Sequence, residues 1–223
     1  MRKNINDIVR IFSEEFIIKE PVIELGSFQV SGQEKISDLR PYFKNKIYIG
    51  CDMREGVGVD KIENMEKLSF KDSSVGTIIL VDTLEHVQNC HIALDEVYRV
   101  LKKDGIVIMS SVMDFPIHNH PYDYWRFTPE SFRLLLKRFK IKIIGHEGNF
   151  SKPHTVFAIG IKSVNSKLEE QSKQFIKKYQ ISKNKKQRAR IYMRGILNDS
   201  KNLIKNILNT KNKSYIKYFN DSI

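Results

Sequence analysis

Two cysteines, Cys51 and Cys90, are too few for a disulfide framework, and they match no metal-ligand spacing, so no metal is expected. No run of about 18 apolar residues occurs, so no segment reads as a membrane-spanning helix. The opening MRKNINDIVR has charge but no apolar stretch ahead of a small-residue cleavage site, which argues against a secretory signal and for a cytoplasmic protein. A dinucleotide fingerprint is missing after the first strand-like run, because glycines would be needed at 28 and 31, where Phe28 and Ser31 stand. No phosphate-cradling loop followed by lysine is present either. A nicotinamide oxidoreductase and a P-loop enzyme are therefore disfavoured.

The body of the chain also lacks net charge. Of 223 residues, 38 are Lys or Arg and 26 are Asp or Glu, a balance of +12. Residues 162–223 hold 16 of the bases and only four of the acids, so the whole excess lies there and residues 1–161 are neutral. A neutral body leaves no electrostatic footprint for nucleic acid, and any attraction to a polyanion belongs to the tail. Hydrophobic residues make up 41%, enough for a packed core and too many for a wholly disordered chain.

Strand-like and helix-like runs alternate. Residues 4–19 place Ile5, Ile8, Val9, Phe12 and Phe16 at helical spacing, with Pro21 as the stop. Strands are expected at 22–26, 46–52, 76–82, 105–112, 141–146 and 155–161, the last two joined by a loop containing Gly148, Asn149 and Pro153. Helices are expected at 33–43, 90–101 and 129–139, the last with Thr128 as N-cap and Pro129 at the first helical position. This alternation predicts right-handed crossovers and a mainly parallel sheet covered on both faces. The absence of a helix between the last two strands predicts an antiparallel hairpin at one edge. Residues 166–180 and 189–208 retain helical spacing, and Ser182–Gln187 reads as a linker.

In an open parallel sheet, ligands bind beyond the carboxyl ends of the strands, where strand order reverses. Distinctive residues fall at those ends. Glu24-Leu25-Gly26-Ser27 closes the first strand, and its glycine permits a tight turn and close backbone approach. Asp52 closes the second and can accept hydrogen bonds from a ribose diol, or it can simply cap a turn. Val81-Asp82-Thr83 and Ser110-Ser111 close two more. Glu24 sits between apolar neighbours, and a buried carboxylate needs a partner.

The runs VIELGSFQVSG, YIGCDMREGVGVD, IENMEKLSF, GTIILVDTLEHV and LKKDGIVIMSSV resemble, in order and spacing, the successive motifs of class I S-adenosylmethionine-dependent methyltransferases. More narrowly they resemble the small-molecule, type 11-like branch with "LEHV" and "LKPGG" signatures. The resemblance covers residues 20–162, and PYDYWRFTPESF at 121–132 is similar to members of bacterial surface-glycan pathways. It implies an α/β fold: a Rossmann-like three-layer sandwich with a mainly parallel seven-stranded sheet and an antiparallel edge hairpin. It implies a methyltransferase domain over 1–162, followed by a basic, partly helical extension over 163–223. The implied cofactor is S-adenosylmethionine. Glu24, Gly26 and Ser27 match the motif holding its methionine end, Asp52 the acid on the ribose, and Met53, Asn64 and Met65 the adenine contacts. Asp82 and Thr83 match the strand end beside the sulfonium. Two positions depart from the family pattern: Phe28 replaces a glycine, and Asn64 replaces an aspartate.

Residues 114–126, DFPIHNHPYDYWR, follow the fifth strand and should lie over the cofactor rim. This segment reads either as a structural lid or as an acceptor site in which Asp123, Tyr124, Trp125 and Arg126 contact a sugar or ring. Arg126 can alternatively pair internally with Asp123. His118 and His120 are the candidate general bases, and His86 is either an acceptor contact or a packed histidine. The expected reaction is methyl transfer to oxygen or nitrogen of a small-molecule or glycan acceptor. The rivals are a non-catalytic scaffold for membrane-associated glycan assembly and a nucleic-acid methyltransferase. The tail reads either as a solvated extension or as a basic amphipathic helix peripheral to an anionic inner-membrane surface.

Overall fold

The computed structural model describes residues 2–118, 122–192 and 215–220. Helix α1 (Lys3–Glu15) leads into β1 (Val22–Leu25), α2 (Glu34–Ser37) and β2 (Tyr48–Asp52). After the two-residue β3 (Lys61–Ile62) come β4 (Val75–Val81), α3 (Cys90–Val100) and β5 (Leu101–Val112). The chain continues through α4 (Pro129–Leu135), β6 (Ile141–Asn149), β7 (Lys152–Ile161), α5 (Ser166–Tyr192) and β8 (Tyr215–Asn220).

The strands form one sheet in the order β3-β2-β1-β4-β5-β7-β6-β8. The first five pair in parallel, and β7 is antiparallel to both β5 and β6. Strand order thus reverses between β1 and β4, which makes their carboxyl ends the topological switch point. The six strands expected from the sequence pattern correspond to β1, β2 and β4–β7; the short β3 completes the seven that the resemblance implied, and β8 is added from the extension, antiparallel to β6. The β6–β7 hairpin is consequently not at the edge among the described strands, because β8 covers β6.

Alternation along the central strands sorts side chains into two cores. Ile78 and Leu80 of β4, with Val107 and Met109 of β5, join α3 and α4 on one face. Ile79 and Val81, with Ile106 and Ile108, join α1 and α5 on the other. All seven residues of β4 are buried, as a strand covered on both faces requires. Cys51 and Cys90 are free and buried within the first core, and burial pushes both thiols up to about 12.

Several expected boundaries shift. The first helix, expected over 4–19, ends at Glu15, and extended backbone at Phe16 lets the buried Phe16 and Ile18 reach the core. The helix expected over 33–43 splits, because Asp38 turns extended and Pro41 opens a separate 3-10 turn, Arg40–Phe43. The helix expected over 129–139 stops at Leu135, with the predicted Thr128 cap completed by a reciprocal bond from Ser131. The loop expected around Gly148, Asn149 and Pro153 is instead strand, with paired residues as far as Asn149 and Lys152. The linker expected at Ser182–Gln187 lies inside α5. That helix is anchored early: Phe175 packs tilted against Phe16 with ring centroids 6.0 Å apart, and Lys178 bonds Glu14 at 2.9 Å. The helical spacing noted at 193–208 lies outside the described residues.

Candidate active site

At the end of β1 the chain turns through Gly26 at φ +87°. Its N–H donates to the Cys51 carbonyl of β2 at 2.8 Å, and so does that of Ser27 at 3.0 Å. A Cβ at Gly26 would lie 2.2 Å from Thr83 Oγ1, so close approach and left-handed backbone both demand glycine. Asp52, at the end of β2, accepts from the backbone N–H of Arg54 at 3.1 Å and of Phe28 at 3.4 Å. These bonds aim its carboxylate back across the turn after β1. The Phe28 ring lies against the Arg54 guanidinium, 4.3 Å from ring centroid to charge, and over Gly56. The substitution of phenylalanine for glycine therefore leaves the cavity open.

Glu24 is buried, and its Oε2 accepts from the Tyr48 hydroxyl at 2.6 Å. Burial raises this carboxyl to about 7. Ser27 Oγ is buried and has no hydrogen-bond partner among the described residues. Met65 is buried and Met53 is exposed. Asn64 spends its Oδ1 on a local turn, accepting from Glu66 N–H at 2.9 Å.

Beyond β4, Asp82 adopts φ +49° and accepts from Arg2 Nη2 at 2.8 Å and from Ser110 Oγ at 3.0 Å. Thr83 Oγ1 donates to the Val81 carbonyl at 3.0 Å. Glu85, in the 3-10 turn Leu84–His86, is fully buried. Its Oε2 accepts from Ser111 Oγ at 2.6 Å, and its Oε1 has no partner among the described residues. Burial, reinforced by the nearby Asp82 charge, raises this carboxyl to about 7.

Glu85 also anchors the overlying segment, since its carbonyl accepts from the N–H of Tyr124 at 2.7 Å and of Trp125 at 3.3 Å. Asp123 grips Arg126 in a two-pronged pair, at 2.5 and 2.7 Å, and accepts from His118 N–H at 2.8 Å. The guanidinium holds the Asp123 carboxyl far below the usual carboxylate range. Trp125 donates its indole N–H to the Val87 carbonyl at 2.9 Å.

One cavity of about 970 Å³ runs along these strand ends. All nine expected cofactor positions line it: Glu24, Gly26, Ser27, Asp52, Met53, Asn64, Met65, Asp82 and Thr83. His86, His118 and Tyr124 line its other end, whereas Asp123, Trp125 and Arg126 do not and instead brace the segment from behind. His120 lies outside the described residues. The cavity also takes in residues that the sequence did not single out, chiefly Arg2, Glu85, Phe115 and Tyr122. Glu85 carried a signal, as the acid inside "LEHV"; Arg2 carried none, because its partners lie 80 and more residues away.

Residues 49–109 match the family model described as a methyltransferase domain. No curated protein matches the chain. Among solved structures, a SAM-dependent methyltransferase from Archaeoglobus fulgidus aligns at 14% identity and TM-score 0.54, covering 73% of this chain and 95% of that one. One from Methanosarcina mazei aligns at 19% identity and TM-score 0.51, covering 70% and 98%. The cyclase SpnF also shares the fold, at 12% identity and TM-score 0.53, covering 73% and 81%. The chain thus carries a methyltransferase-domain segment on the fold of S-adenosylmethionine-dependent methyltransferases.

Proposed function

We propose that this protein transfers the methyl group of S-adenosylmethionine to an oxygen or nitrogen of a small-molecule or glycan acceptor. The observation that carries this reading is a single cavity at the switch point, lined jointly by the Gly26 turn, the backbone-oriented Asp52 and the Asp82-Thr83 strand end. The polar atoms there suit the cofactor. Ser27 Oγ is a buried group still lacking a partner, and Glu24 is a buried carboxyl facing the same space.

In this reading Glu24 and Ser27 hold the methionine end, Asp52 accepts from the ribose hydroxyls, and Met53, Asn64 and Met65 border the adenine. Asp82 and Thr83 border the sulfonium end. S-adenosylmethionine, when bound, supplies an electrophilic methyl group that leaves sulfur for the acceptor atom. The protein's own contribution is positioning in a water-poor space. Phe115, Tyr122 and Tyr124 offer aromatic faces to the acceptor, and Asp123, Trp125 and Arg126 act as positioning residues for that wall. In the same reading His118, beside His86 with ring centroids 4.9 Å apart, takes the proton from an acceptor hydroxyl. His120 is proposed for the same role. The basic extension is proposed to rest on anionic membrane, which vesicle co-sedimentation would test.

The fold also serves a cyclase, so transfer itself must be measured. Excess S-adenosylmethionine should raise the melting temperature, since a hundredfold excess over Kd stabilises the native state by about 2.7 kcal/mol. With labelled cofactor, His118→Ala should lower turnover by about 100-fold or more and leave cofactor affinity within about twofold. No thermal shift and no labelled product with sugar, glycan or small-molecule acceptors would overturn the reading.

A further inference from the structure

We propose that Glu85, His86 and His118 form a site for one divalent first-row transition ion, with zinc the best match, on the acceptor wall of the cavity. One carboxylate oxygen of Glu85 and one ring nitrogen from each histidine lie within 4.8 Å of one another. Two imidazoles and one carboxylate are a donor set used for zinc, with a fourth position left open. Ligands about 2.1 Å from a tetrahedral ion sit roughly 3.4 Å apart, so side-chain adjustments on the order of 1 Å complete the site.

The hydrogen bonds behind the two rings support it. His86 Nδ1 lies 2.5 Å from the Tyr122 carbonyl, an oxygen that can only accept, so Nδ1 carries a proton and the neutral ring presents its lone pair at Nε2. His118 Nδ1 lies 3.1 Å from Asp123 Oδ2 and 3.2 Å from the Pro116 carbonyl, which assigns the same tautomer. Metal-binding histidines characteristically donate their remote N–H to a carboxylate or carbonyl in this way. Asp123 is itself locked by Arg126, and Ser111 orients Glu85, so the supporting shell is complete.

Charge points the same way. Asp82 is paired with Arg2 and Asp123 with Arg126, whereas the buried Glu85 Oε1 has no partner among the described residues. A bound cation would supply one. The ion's catalytic role, unlike its binding, rests on the methyl-transfer reading: it would lower the pKa of an acceptor hydroxyl at the open position. In that case His118 holds the ion rather than the proton.

The test is calorimetric titration of the chelator-stripped full chain with zinc, manganese and magnesium salts. Zinc should bind one ion per chain with micromolar or tighter Kd, and His118→Ala and the isosteric Glu85→Gln should each weaken it by tenfold or more. Asp123→Asn should weaken it about tenfold through the ring it orients. S-adenosylmethionine affinity, measured on the same variants, should stay within twofold. That readout shows the fold intact and keeps failure of the metal site distinct from failure of the methyltransferase reading. Absence of saturable zinc binding, or undiminished binding in His118→Ala, would overturn the site.

Discussion

At the β1–β2 end of the cavity, polar groups are held mainly by backbone at neighbouring strand ends: Asp52 by the N–H groups of Phe28 and Arg54, and the Gly26 turn by the Cys51 carbonyl. At the β4–β5 end, the equivalent work is done by side chains and carbonyls far apart in sequence. Asp82 meets Arg2, Glu85 meets Ser111 and Tyr124, and His86 meets Tyr122. The first end is a property of strand geometry and suits an invariant ligand. The second depends on how one surface segment settles, and suits an acceptor that differs between proteins of one fold.

If that contrast is right, the tightest point of the first end should tolerate least. Gly26→Ala forces a Cβ onto Thr83 and a left-handed backbone onto alanine. Backbone strain and overpacking together should cost about 3 kcal/mol, read as a lower denaturation midpoint, with cofactor binding lost alongside. Unchanged stability would break the account of the turn.

The next effect is one of pH. Glu24 stays neutral in the fold until about pH 7, whereas an unfolded glutamic acid ionises near 4.5. Its contribution to stability is therefore full below about 4.5 and is lost as pH rises through about 7. Glu24→Gln cannot ionise and still accepts the Tyr48 hydroxyl. It should gain roughly 2 kcal/mol on the native protein at pH 8 and little at pH 5, in denaturant melts at both values. It should also weaken cofactor binding above about pH 7, where it removes the charge at the methionine end. Equal stabilities at both pH values would show that Glu24 is solvated.

The smallest effect separates the two ends directly. Asp52→Ala should weaken S-adenosylmethionine by about 1.5 kcal/mol, roughly tenfold, the scale of a charge-assisted hydrogen bond. Its turnover at saturating cofactor should remain near that of the unaltered protein, the reverse of His118→Ala. Wild-type affinity by calorimetry would remove Asp52 from the ribose site.

The cradle was legible because its signals are local. A glycine after an apolar strand, an acid closing the next and Asp82-Thr83 closing the central one fall where strand periodicity and the parallel rule put them. The Thr128 cap was legible for the same reason. The helix at 33–43 misled because apolar spacing cannot register the break at Asp38 and Pro41. The apparent linker at 182–187 misled because a lysine-rich run reads as solvent-exposed, while the helix through it is anchored upstream by Phe175 and Tyr179. Asp123 and Arg126 read equally as acceptor contacts or as an internal pair; packing selects the pair.

Order of residues along the chain sufficed for the alternating α/β plan, the parallel strands and the carboxyl-end cradle, since hydrophobic period and turn chemistry act over a few residues. Folding in three dimensions decided the rest. Arg2 reaches Asp82, Glu85 is buried with one oxygen unsatisfied among the described residues, and two histidines separated by 32 positions meet edge to face on one wall of the cavity. Those pairings depend on which elements pack together, and long-range packing leaves no mark at any one position.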